Sequence, residues 1–157
     1  LTPEALVPVL GLALYAGLRG AAAGRTVLFL LPLAWFAGGL TGTAAIGLSS
    51  PFAPVVSFLL IGLLVAAALR LPAQIVAVLA VLLGLVHGFL NGPVLKNGPG
   101  VPGLLGIMAL LFVLAALVSA FVVSLRQPWT RIAVRVAGSW IGACGLLMLG
   151  WLTRGAV

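Results

Sequence analysis

Leu85-Val86-His87-Gly88-Phe89-Leu90-Asn91-Gly92-Pro93 closes a long apolar run and holds the only histidine of the chain. Read as helix, it places Gly84, His87, Gly88 and Asn91 at i, i+3, i+4 and i+7, so that they share one face. Leu82, Leu83, Val86, Phe89 and Leu90 cover the remainder of the surface. A narrow strip of small and polar residues amid so much hydrocarbon is expected to face other helices or a solute, and not lipid. The rest of the chain reads as scaffold around it.

Composition decides the class of that scaffold. The chain of 157 residues is 64% hydrophobic and 6% charged, whereas a globular domain carries roughly 25% charge and needs a polar exterior. An integral membrane protein follows. Eight Lys and Arg stand against the single acid Glu4, for a formal charge of +7. In so apolar a chain this excess belongs to short loops near anionic lipid. Nucleic-acid binding is excluded, because no basic run carries interleaved aromatics. A lone Cys144 makes no disulfide within the chain. The chain opens on Leu1 and not Met, from which a removed upstream piece, such as a signal peptide, is expected.

The hydropathy pattern predicts an all-α fold: one transmembrane domain over residues 1–157, with six helices near 2–18, 26–48, 52–69, 73–91, 104–125 and 132–152. Pro8 falls in the first of these, which is short for a span. Arg19, Gly20, Gly24 and Arg25 are expected to form a compact basic loop. In the second helix Gly38 and Gly42 make a small-xxx-small pair, which reads as close helix packing or, together with Pro32, as a broken helix lining a site. Ser49, Ser50, Pro51 and Pro54 predict a tight turn, and Gly92 to Gly103, with Pro93, Pro99 and Pro102, an irregular loop. Arg126 to Arg131 form the last loop. Arg135, one turn into the sixth helix, reaches the interface by snorkelling. Trp129 and Trp151 mark opposite membrane edges.

Loop charges set the orientation. Arg19, Arg25, Arg70, Arg126, Arg131 and Arg135 fall on one side, and only Lys96 and Arg154 on the other. The first group is expected in the cytoplasm, with both termini on the outer side. His87 then lies near the outer leaflet.

Few residues are available for chemistry. The apolar runs of the predicted spans, the first of which begins at Ala5 just after Glu4, contain no Asp or Glu, which removes carboxylate proton relays, paired-acid hydrolysis and an oxygen cage for a hard cation. No serine has a recognisable base partner, so an enzyme is not expected. A metal site rests on His87, with Asn91 one turn later as a weak ligand, and with the soft groups of Cys144, Met108 and Met148 on other helices. Each has a plainer explanation too. A buried imidazole is satisfied by a carbonyl or hydroxyl, Asn-Gly-Pro commonly ends a helix, and a cysteine between glycines packs.

The layout of six short-looped helices, Leu31-Pro32-Leu33-Ala34 in the second, Arg70-Leu71-Pro72 before the fourth, and His87-Gly88 within it, resembles the HupE/UreJ family of hydrogenase and urease accessory membrane proteins. The resemblance implies a nickel or cobalt permease serving metalloenzyme maturation. Such proteins typically carry His-Gly, two residues, then His-Gly in this helix. Here Asn91 stands in place of the second histidine. They also show a His-Pro and Asp-His signature at the start of the first helix, which is missing from this sequence. If it lies upstream of Leu1, it would sit on the same side as His87.

The leading expectation is therefore uptake of Ni2+ or Co2+ driven by membrane potential. His87 would ligate the ion, assisted weakly by Asn91, while Gly84 and Gly88 give a solute or a neighbouring helix close access. No resident cofactor is expected. The rival is a non-transporting accessory subunit of a larger respiratory or photosynthetic membrane complex, favoured by the lost ligands. The expected partners are the lipid bilayer and either further copies of the chain or such a complex.

Overall fold

The computed structural model describes residues 2–44, 50–96 and 98–154. Among these are six helices: α1 (Pro3–Arg19), α2 (Ala21–Thr43), α3 (Phe52–Ala67), α4 (Ala73–Lys96), α5 (Gly100–Ser124) and α6 (Pro128–Arg154). Four of them, α2, α4, α5 and α6, are long and apolar enough to cross a membrane. α1 and α3, of 17 and 16 residues, reach only about 25 Å at the usual rise, against a hydrocarbon core of about 30 Å.

α1 is enclosed by its neighbours. Val9, Leu12, Ala13, Tyr15 and Ala16 are fully buried, and a helix surrounded by protein need not match the thickness of the bilayer. Its neighbours form two pairs with glycine-lined seams. α2 and α4 run in the same direction with their backbones touching: a Cβ on Gly38 would strike the carbonyl of Leu85, and one on Gly88 the carbonyl of Trp35. α3 and α6 meet in the same manner, where Gly62 abuts Gly142 and Gly138 packs on Val65. Small residues let helices approach closely enough for dispersion contacts to hold them together where lipid removes the hydrophobic drive. α5 closes the bundle against α1 and α2, with Gly17 packed on Val122 and the Ser119 hydroxyl donating to the Ala13 carbonyl at 3.2 Å.

The arginine-rich end is tied by side chains to free helix carbonyls. Arg131 donates to the Leu18 carbonyl at 2.7 Å and Arg135 to that of Ala66 at 2.8 Å. Each thus satisfies an orphan acceptor in the last turn of α1 or α3, where a cation also suits the helix dipole. Arg135 is therefore a helix cap and not a freely snorkelling chain. Tyr15, the only tyrosine, donates to Leu69 at 2.7 Å and accepts from the Leu71 amide at 3.4 Å. It anchors the α3–α4 connection.

Several expected boundaries move. The basic loop from Arg19 to Arg25 does not form: Gly20 alone, at φ 104°, turns the chain, and the Ala-rich segment after it is helical at once. α3 stops at Ala67 because Ala68 adopts the left-handed conformation, at φ 50°. α4 does not end at Asn91. It continues through Gly92 and Pro93 to Lys96, and α5 begins at Gly100, so most of the expected Gly/Pro loop is helix. α6 starts at Pro128, a residue suited to a first turn, which brings Trp129 and Arg131 into the helix. α2 is continuous through Pro32 and the glycine cluster, without a break. Its expected extension to Leu48 and the Ser49 part of the turn lie outside the described residues, as does Leu1.

Candidate functional site

The unequal helix lengths leave a depression at the end of the bundle opposite the arginines. Arg131 meets Leu18, which aligns α6 with α1 there. From that level α6 runs about two turns further than α1. The result is a cavity of about 630 Å³ between the first turns of α1 and α3 and the last turns of α4 and α6. Glu4 of α1, His87 and Asn91 of α4, and Met148 and Trp151 of α6 line it.

His87 is the deepest of the α4 residues in that lining, and is 2% exposed. Two contacts hold its ring. One face lies near-parallel to Trp35 of α2, with centroids 5.9 Å apart and planes 13° from parallel. Nε2 is 2.9 Å from the Ser57 Oγ of α3, and that hydroxyl donates in turn to the Ala53 carbonyl at 2.8 Å. Asn91 sits one turn on, inside the helix and not at its end. Its Nδ2 donates to the His87 carbonyl at 2.8 Å, so it braces the α4 backbone instead of capping it. Glu4 is exposed in the first turn of α1, where the helix dipole favours a carboxylate.

The cavity thus gathers an imidazole, an amide, a carboxyl group and a thioether. Nitrogen, oxygen and soft sulfur donors in one place suit a borderline dication better than magnesium or calcium. Among the described residues, no group of three or more His, Cys, Asp or Glu is arranged to hold a metal ion. An ion entering here would keep part of its water.

The other expected residues separate from this site. Gly38, Gly42, Gly84 and Gly88 lie in the α2–α4 seam, each against backbone of the partner helix. Cys144 is exposed, and neither it nor Met108 lines the cavity. Sequence reasoning treated Glu4 only as a helix start and gave Ser57 and Trp35 no role. Signals for the last two were present. Ser57 is the only polar side chain between Phe52 and Leu69, and Trp35 is a tryptophan in mid-helix, away from the membrane edges.

Fold and cavity together define a small helical membrane protein with a donor-lined recess at one end. Residues 3–148, nearly the whole chain, match the family model described as HupE / UreJ protein, and the chain belongs to that family. The family suggests a nickel- or cobalt-related accessory membrane protein. No curated protein and no solved structure matches the chain.

Proposed function

We propose that the protein is a divalent metal permease for nickel or cobalt, with the cavity above His87 as its ion entry site. The observation carrying this reading is that the only imidazole of the chain lines a recess together with Glu4, Asn91 and Met148. An incomplete donor set favours transit over storage, because a partly hydrated ion held by few ligands leaves readily. In this reading all six helices cross or enter the inner membrane, the arginine-rich end faces the cytoplasm, and the cavity opens to the periplasm. The inward-negative potential draws a dication toward the arginine end.

The test is 63Ni2+ accumulation in cells expressing equal amounts of wild type and His87→Ala. Uptake by the wild type with loss of at least about 10-fold in the variant is expected. Equal uptake by the two removes the permease reading. Reporter fusions at Gln127 and at the C-terminus check the orientation, and cytoplasmic activity of the C-terminal fusion would reverse it.

One observation favours a second reading, a non-transporting accessory subunit. This is the lack, among the described residues, of a metal-ligating group of three. Gentle solubilisation followed by mass measurement separates the two, since a subunit co-purifies with unlike chains in fixed stoichiometry and a permease runs alone or with copies of itself.

A further inference from the structure

We infer that Ser57 is a positioning residue that sets the tautomer of His87, placing the ring proton on Nε2 and leaving Nδ1 as the nitrogen that meets an ion. Ser57 has a single hydroxyl proton, and its Oγ lies within hydrogen-bond reach of both the Ala53 carbonyl, at 2.8 Å, and His87 Nε2, at 2.9 Å. A carbonyl only accepts, so the Ser57 proton goes to Ala53. The second contact is then a bond only if Nε2–H donates to a lone pair of Oγ. In the opposite tautomer the hydroxyl turns to Nε2 and gives up the Ala53 carbonyl, which keeps only its helix bond to the Ser57 amide, so the pair makes one hydrogen bond fewer in a buried site.

The chain Nε2–H to Ser57 to the Ala53 carbonyl therefore selects one neutral tautomer. Nδ1 makes no hydrogen bond among the described residues, and His87 lines the cavity. Trp35 fixes the plane of the ring from the side, while Ser57 fixes its rotation within that plane. α3 and α4 otherwise scarcely touch, with a groove of about 420 Å³ between them lined by Ser57, Leu60, Leu83 and Val86. Packing from α3 thus does not substitute for the hydroxyl. Metal-binding histidines are generally oriented and tuned by a bond at the nitrogen that does not bind the ion.

The consequence for ions rests on the permease reading, but the tautomer does not, and the experiment separates them. The chain has one histidine, so 15N-histidine labelling of the full protein in liposomes reports this ring alone. At pH about 8, above the ordinary imidazole range, solid-state NMR should show a neutral ring protonated at Nε2. Ser57→Ala should shift the population toward the Nδ1–H form or a mixture, and Ser57→Thr should restore the wild-type spectrum. Ni2+ titration should then give a Kd raised about 10- to 100-fold in Ser57→Ala and recovered in Ser57→Thr. A wild-type ring protonated at Nδ1, or a tautomer unchanged in Ser57→Ala, overturns the inference. If the tautomer behaves as stated while the wild type binds no Ni2+, the assignment of the proton stands and the ion-site reading fails.

Discussion

The carbonyl of Phe89 rests against Gly42 of the neighbouring helix. Pro93, four residues after Phe89, has no N–H to offer that carbonyl, so the acceptor that the helix cannot satisfy is turned onto a glycine Cα. Contacts of this kind, Cα–H to carbonyl oxygen, recur at close helix interfaces. The seam repeats the motif in both directions, with Leu85 against Gly38, Leu31 against Gly84 and Trp35 against Gly88. Pro93 lies inside α4 all the same, and the helix carries Asn91 on past His87.

Adding one methyl group should part this seam. Gly42→Ala and Gly88→Ala each push a Cβ into backbone that has no rotamer to yield, and should destabilise by about 1–3 kcal/mol or more. Gly106→Ala, where nothing lies within 4 Å, should be neutral or gain up to about 1 kcal/mol of helix propensity. Reversible unfolding in mixed micelles, followed by circular dichroism, checks all three. Similar stabilities for Gly88→Ala and Gly106→Ala would contradict the seam.

Trp35 is fully buried and, among the described residues, its indole N–H has no hydrogen-bond partner. Trp35→Phe keeps an aromatic face against His87 and removes the orphan donor, so the lost volume and the relieved donor offset one another to within about 1.5 kcal/mol. Trp35→Ala leaves a cavity and should cost about 3–5 kcal/mol. The same unfolding assay decides, and near-equal losses for the two variants would refute the account.

Asn91 lines the cavity one turn from His87, which makes it the natural place to add a ligand. Asn91→His should tighten Ni2+ binding by about 10-fold or more, because imidazole suits nickel far better than an amide oxygen. Calorimetry on the purified protein measures this directly. An unchanged Kd would mean that position 91 does not reach the ion.

Arg131 and Arg135 cap the ends of α1 and α3. Arg131→Ala should cost about 1.5 kcal/mol or more by leaving the Leu18 carbonyl without its charged partner. Arg131→Lys should recover only part of this, since an ammonium on a flexible stem lacks the planar fork. Stability equal to wild type in Arg131→Ala would show that the carbonyl finds another donor.

The sequence alone determined the class of protein, the number of helices and the end at which the arginines gather. These depend on composition and on runs of hydropathy, which act along the chain and need no knowledge of what lies beside it. It also singled out His87, because one imidazole in so apolar a segment is conspicuous. Helix ends were less legible. Gly20 turns the chain where a seven-residue loop was expected, and Asn91-Gly92-Pro93 reads as a stop because those residues break an isolated helix. Here the freed Phe89 carbonyl packs on Gly42 of α2, so tertiary packing overrides the local signal. Only the tertiary structure could join Glu4 and Met148 to His87, since the recess exists because α1 and α3 are shorter than the helices around them. Only it could pair Ser57 with His87, thirty positions apart, because a hydroxyl and an imidazole on separate helices meet through the rotation of each helix about its own axis. Hydropathy sets that rotation coarsely. The glycine seams set it closely, by holding α2 to α4 and α3 to α6 at backbone contact.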